Sequence, residues 1–157
     1  LCSFKGIGLA KALSIIAALE IGRRRKYLKV KPSSSINRSQ HVYDAVFPNF
    51  ADLLHEEFWV LLLNRANKIQ SQHRISVGGL SGTVDDPKVI FKIALQHGAS
   101  AIILVHNHPS GQLRPSEEDL KITEKLVEAG KLLEISVLDH LIVTDNGYFS
   151  FADEALI

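Results

Sequence analysis

The run Ala101-Ile102-Ile103-Leu104-Val105 constrains the fold more than any other stretch of the chain. Five apolar residues in succession, with no polar residue to turn outward, read as a short central strand. Other elements fall into place on either side. Glu57 to Leu63 (EFWVLLL) is a second buried-type strand, and Lys68 to Val77 is its expected hairpin partner. Asp85-Asp86-Pro87 opens a helix running to about His97, since Asp before Pro is a good helix start. Ser116 to Lys131 reads as another helix and Glu134 to Thr144 as another strand, turned by Asp145-Asn146-Gly147 into Tyr148–Phe151. A shorter helix over 40–54 is interrupted by Pro48. Strands alternating with helices give an α/β or α+β domain, and 157 residues, 46% of them apolar, suffice for one core with a small appendage.

The N-terminal segment is different in character. Leu9, Ala12, Leu13, Ile16 and Leu19 recur with helical spacing over 9–28, after the glycine turn Gly6-Ile7-Gly8 and before Arg23-Arg24-Arg25-Lys26. Residues 1–31 hold eight Lys or Arg against the single acid Glu20, a net of +7, whereas residues 32–157 carry a net of −6. A basic arm on an acidic body points to two different jobs. Between them, 32–39 has linker composition, which leaves 40–157 as the main domain. The lone Cys2 allows no internal disulfide and no multi-cysteine metal site, which fits a reducing, cytoplasmic setting. No membrane-length apolar run and no secretory leader are apparent. The chain starts at Leu1 and lacks Met, as a piece of a longer product would.

The residues richest in chemistry follow the central strand: His106-Asn107-His108-Pro109-Ser110-Gly111. Two histidines two apart at a strand end can aim the same way, at the carboxyl end where open sheets commonly hold ligands. Neutral imidazoles suit zinc, and three protein ligands leave a fourth position for water. A surface turn that carries two histidines reads equally well on these residues alone. Asp119, in the first turn of the helix opened by Ser116-Glu117-Glu118, could point back at the loop. Ser-x-x-Asp is also the pattern of a capping box, and taken alone capping is the better account.

Together these residues form a known pattern. His106-x-His108-Pro109, followed by Ser116 and Asp119, resembles the signature of the JAMM-type (MPN-fold) metalloproteases, and HNHPSGQLRPSEED resembles the HxHPSGxxxPSxxD form of the RadC family. The likeness runs from about residue 40 to 157, and GIGLAKALSIIAALEIGRRR resembles the end of a helix-hairpin-helix segment. The resemblance implies a cytidine-deaminase-like mixed sheet flanked by helices, with a small helical segment before it. It implies one zinc ion held by His106, His108 and Asp119, with Ser116 near the metal water as an oxyanion stabiliser. It also implies an upstream catalytic glutamate. Glu56 and Glu57 compete for that role. The family's spacing favours Glu57 as the base that moves the water proton, with Phe58, Val60 and Leu62 on the opposite strand face and Glu56 toward solvent. The bond cleaved would be an amide or isopeptide, in a peptide substrate that the sequence does not specify.

The alternative is a DNA-associated repair or accessory protein in which the metal site is structural or vestigial. Gly6, Gly8 and Lys11 are placed as a helix-hairpin-helix turn would need for phosphate, which implies weak, nonspecific DNA binding through residues 1–31. A zinc deaminase needs a Cys-x-x-Cys pair beside its His-x-Glu, and the single cysteine, Cys2, rules that scheme out. Of the other histidines, His140 is either a buried residue bonded to backbone or a group behind the metal ligands. His41, His55, His73 and His97 are expected at the surface.

Overall fold

The computed structural model describes residues 1–27, 35–51, 53–78 and 86–157, with the backbone alone for 23–27. Leu28, linker residues 32–34 and the helix-start residue Asp85 lie outside the described residues. The chain divides into two compact units, Leu1–Pro32 and Ser33–Ile157. In the first unit, helix α1 spans Leu9–Tyr27. Gly6 precedes it with φ +88°, a conformation open to glycine and strained for other residues.

The second unit is built on a five-stranded mixed sheet in the order β2-β1-β3-β4-β5. Its strands are β1 (Glu57–Leu63), β2 (Ile69–Val77), β3 (Ala101–Asn107), β4 (Ser136–Thr144) and β5 (Gly147–Ser150). Three helices accompany them: α2 (Ser39–Phe50), α3 (Pro87–Gln96) and α4 (Glu117–Leu133). The expected central strand is two residues longer than its apolar run, so His106 and Asn107 belong to β3 itself. Every residue of β3 is buried. It pairs antiparallel with β1 and parallel with β4. A parallel neighbour requires a crossover, which α4 supplies.

Alternation along β1 and β3 splits the core in two. Phe58, Val60 and Leu62 of β1 join Ile102 and Leu104 of β3 under α3 and α4. Leu61, Leu63, Ile103 and Val105 point the other way, against Val42, Val46 and Phe50 of α2. Each such side chain contributes about 1.5–3 kcal/mol through burial, which is why the run tolerates no polar residue until it ends. Ser35 and Ile36, expected in the linker, belong to this unit. Ser35 Oγ donates to Ala66 O at 2.7 Å and Ile36 N to Asn67 O at 2.8 Å. Helix α2 carries Pro48 inside its last turn and ends at Phe50, earlier than expected: Ala51 N–H still bonds Phe47 O at 2.9 Å, but its ψ of 132° leaves the helical region.

Helix α3 starts as its residues dictate: Asp86 caps it by accepting from Lys88 N, with Pro87 in the first turn. Helix α4 closes on Glu134 in the left-handed region, φ +55°, and Ile135 N–H returns to Gly130 O at 2.9 Å. The chain reverses so tightly that a Cβ at Gly130 would collide with the Ile135 carbonyl and press on Phe91. Gly130→Ala is therefore expected to destabilise the domain by about 1–2 kcal/mol, the clash outweighing alanine's better helix propensity. An unchanged or raised urea midpoint would show that the turn can give way.

Candidate metal centre

His106, the sixth residue of β3, is held by the sheet on both sides. It lies opposite Phe58 of β1 and Ile142 of β4, and the Phe58 ring stacks on its imidazole with centroids 6.0 Å apart. His108 lies just past the strand, its N–H bonded to Val143 O at 3.0 Å. Gly111, φ +79°, then turns the loop, with its N–H on His108 O at 3.0 Å. His108 Nδ1 lies 2.7 Å from Gln112 O. A carbonyl can only accept, so Nδ1–H donates and a neutral His108 presents a bare Nε2.

Asp119 comes from the first turn of α4. Ser116 is its N-cap, and both halves of a capping box are formed. Ser116 Oγ accepts from Asp119 N at 3.1 Å, while Ser116 N and Oγ both donate to Asp119 Oδ2 at 2.7 Å. These bonds occupy Oδ2 and leave Oδ1 facing His106. Capping, which competes with ligation as a reading of the sequence, thus leaves one oxygen of the carboxylate free of the cap.

The three side chains meet. His106 Nε2 is 3.0 Å from His108 Nε2 and 3.1 Å from Asp119 Oδ1, and His108 Nε2 is 3.6 Å from Asp119 Oδ2. His106 and Asp119 are buried, and His108 is 13% exposed. Among the described residues this is the group of His, Cys, Asp or Glu whose ligand atoms converge so closely, all within 4.8 Å. Two donors on a tetrahedral ion with bonds of about 2.0–2.1 Å stand roughly 3.3 Å apart, so a metal fits with little adjustment. Burial pushes the Asp119 carboxyl up, but the facing imidazoles of His106 and His108, together with the Ser116 backbone bond, outweigh it and hold the group well below the usual carboxylate range. The Asp119 carboxylate in turn favours the charged form of His108 and raises it above its ordinary value, against the effect of burial.

A cavity of about 330 Å³ opens beside the cluster, lined by Glu56, His108, Gln112, Arg114, Ser116 and Asp119 among others. Glu56 is half-buried there. The expected placement of the two glutamates differs from the structure: Glu56 lines the cavity, and Glu57, also buried, lies on the face of β1 away from His106. Phe58 shares the His106 face, so alternation turns Glu57 to the other side of β1. There Glu57 N–H donates to Asn107 Oδ1 at 2.7 Å, and its carboxylate takes Trp59 Nε1 at 2.8 Å, His55 Nε2 at 3.0 Å and Arg74 at 3.2 Å. Burial would raise its pKa, but these partners lower it.

His140 is fully buried in β4 directly behind His106, with Nε2 2.8 Å from His106 Nδ1. Its Nδ1 is 2.6 Å from Thr123 Oγ1, a residue the sequence reading passed over. Thr123 stands four residues after Asp119 on α4, so helical spacing alone would have put the two on one face. Gly6, Gly8 and Lys11 belong to the first unit, where Lys11 Nζ donates to Gly6 O at 3.2 Å. Of the surface-type histidines, His55 is engaged with Glu57, and His73 and His97 pack ring to ring at 4.7 Å.

A family model described as "RadC-like JAB domain" matches residues 36–156. The chain belongs to the RadC-like JAB-domain family. It is 47% identical to a "UPF0758 protein" of Flavobacterium johnsoniae over 156 residues, 99% of this chain and 68% of that protein. A protein of the same name from Porphyromonas gingivalis is also 47% identical, covering 99% of this chain and 69% of its own length. One from Methanosarcina mazei is 40% identical over the whole chain and 69% of its own. The mixed sheet flanked by helices is the JAB/MPN-type fold that the motif implies. Among the described residues no helix is long and apolar enough to cross a membrane.

Asp139 underpins the His140 side of the site. Its Oδ1 accepts from His140 N at 2.7 Å and Ala152 N at 3.0 Å, and Oδ2 accepts from Ser150 Oγ at 2.7 Å. This ties down the turn whose Phe151 ring stacks on His140. Burial raises the Asp139 pKa despite those bonds. A carboxyl raised in the native state binds more protons there than in the unfolded chain, so its contribution is full below the ordinary value near 4 and declines as pH rises through the folded pKa. Asp139→Asn keeps the acceptor and cannot ionise. Its melting temperature relative to the wild type should therefore climb as pH is raised from about 4 toward neutrality. A difference that stays flat with pH would mean that burial of this charge costs nothing.

Proposed function

We propose that this protein is a zinc-dependent amide hydrolase, a peptidase or isopeptidase of the JAMM type. The observation that carries the reading is the convergence of His106 Nε2, His108 Nε2 and the Asp119 carboxylate beside an open cavity. Two imidazoles and one carboxylate are the ligand set of a catalytic rather than a closed structural zinc site. Zinc bound there would supply a Lewis acid for the substrate carbonyl and lower the pKa of a water toward 7.

The protein's own residues divide the remaining work. Gln112 O and the sheet hold the two histidines in place, and Ser116 holds Asp119 by Oδ2. Ser116 therefore acts first as the orienter of a ligand. A role toward a developing oxyanion requires its hydroxyl to leave Asp119. Glu56, on the cavity wall with His108 and Asp119, is the base in this reading in place of Glu57. Its carboxylate accepts the proton of the attacking water and returns it to the departing amine nitrogen. Gln112 and Arg114 are exposed and line the same cavity, which in this reading receives an extended peptide or a lysine side-chain amide.

Metal analysis of the purified protein should find one zinc per chain, lost in the His106→Ala/His108→Ala double variant. Zinc content unaffected by that change would refute the site. Glu56→Gln should retain zinc while hydrolysis of blocked peptides or lysine isopeptide conjugates falls on the order of a hundredfold or more. Glu57→Gln, on the far face of β1, should lower it much less. The opposite ranking would return the role to Glu57.

A further inference from the structure

Behind the three ligands a chain of hydrogen bonds runs from His106 through His140 and Thr123 to the backbone of Asp119. Donor roles along it follow from one end. The Asp119 carbonyl oxygen carries no hydrogen, so Thr123 Oγ1–H donates to it, at 2.5 Å. With its only hydrogen spent, Thr123 Oγ1 accepts from His140 Nδ1–H at 2.6 Å. His140 has no exposed surface and packs between the rings of Phe58 and Phe151, surroundings that favour a neutral imidazole. A neutral ring with its hydrogen on Nδ1 has a bare Nε2, which accepts from His106 Nδ1–H at 2.8 Å. His106 is then left with its lone pair on Nε2, the atom that faces His108 and Asp119.

We propose that His140 and Thr123 are positioning residues that hold His106 in the tautomer able to ligate a metal through Nε2, with the Asp119 backbone carbonyl as the fixed end of the relay. The inference rests on the metal reading above and adds residues that touch neither metal nor substrate. A purely packing role would need no directional bonds. Here three short ones join a buried hydroxyl and two buried imidazoles, and each allows a single donor. Asp119 stands at both ends of the relay, its backbone carbonyl as the anchor and its Oδ1 as the carboxylate oxygen facing the free His106 Nε2. Without the Thr123 oxygen, the His140 hydrogen has no acceptor at Nδ1 and moves to Nε2. There it would donate to His106 Nδ1 and force the His106 hydrogen onto the ligand nitrogen.

Four variants of the full chain test this: Thr123→Val, Thr123→Ser, His140→Leu and His140→Gln. Zinc affinity is measured by competition with a chromogenic chelator, and the His106 tautomer by NMR of nitrogen-labelled imidazoles in metal-free protein. Thr123→Val and His140→Leu should weaken zinc binding by about tenfold to a hundredfold. Thr123→Ser should stay close to the wild type, and His140→Gln should recover part of the loss because its amide oxygen can accept from His106 Nδ1–H. The wild type should show His106 as the Nδ1–H form, and Thr123→Val should shift it toward Nε2–H. Thr123→Val is nearly isosteric and keeps the test open if His140→Leu does not fold. A folded Thr123→Val variant with wild-type zinc affinity and an unchanged His106 tautomer would overturn the relay. Failure of the wild type to take up zinc would instead refute the metal reading, and the NMR measurement would still decide the relay.

Discussion

The antiparallel pairing of β1 with β3, which sets Phe58 opposite His106, governs the arrangement around the candidate site. Side chains alternate across a sheet, so this one register fixes which residues of both strands share a face. It stacks Phe58 on the His106 ring and sends Val60, Leu62, Ile102 and Leu104 under α3 and α4. It sends Glu57 to the α2 side with Trp59, where Asn107 Oδ1 accepts its N–H. A slip of one residue would exchange Glu57 for Phe58 beside His106 and bury a carboxylate in the apolar core. Five consecutive apolar residues in β3 make the strand's position between its neighbours secure, and the polar residues at its end inherit that rigidity.

The second constraint is the start of α4, which joins helix formation to the site. Ser116 satisfies the Asp119 N–H and takes Oδ2 in return, so the carboxylate is oriented by the same contacts that begin the helix. A cap of this kind contributes on the order of 1 kcal/mol, a modest gain for a helix whose apolar face already packs on the sheet. Its larger consequence is rotational. An aspartate free about its side-chain torsions would spend conformational entropy on meeting His106, whereas one held by Oδ2 has Oδ1 already in place. Burial of Asp119 without partners would be costly, and the histidines that offset this are the ones a metal would share with it.

Most of the fold was legible because its signals are local. The β1 boundaries, the Asp86-Pro87 helix start, the Ser116 cap and the turn before Tyr148 depend on residues within a few positions of one another. So does the His106/His108/Asp119 pattern, which spans only one loop and one helical turn. The choice between Glu56 and Glu57 belongs to a different class. Alternation correctly separated Glu57 from Phe58, Val60 and Leu62. The side on which His106 falls depends on pairing with a strand some fifty residues away, and spacing within β1 carries no trace of it. The same distinction explains Ser35 and Ile36. Their composition is that of a linker, but their hydrogen bonds go to Ala66 and Asn67 across the domain.

His140 shows how far a residue's surroundings can outweigh its type. In the sequence it is one of seven histidines, on a strand that any buried polar residue could occupy. Parallel pairing of β3 with β4 brings it behind His106, and the crossover through α4 brings Thr123 to its other nitrogen. Each member is polar and buried, so each must find its partner, and the alternatives are few. The carbonyl at one end can only accept, so hydrogens along the relay have one self-consistent placement that starts from a neutral His140. A site of this kind needs no charged group behind its ligands. Backbone carbonyls at Gln112 and Asp119, reached directly by His108 and through two side chains by His106, are enough to turn both Nε2 atoms toward the same point in space.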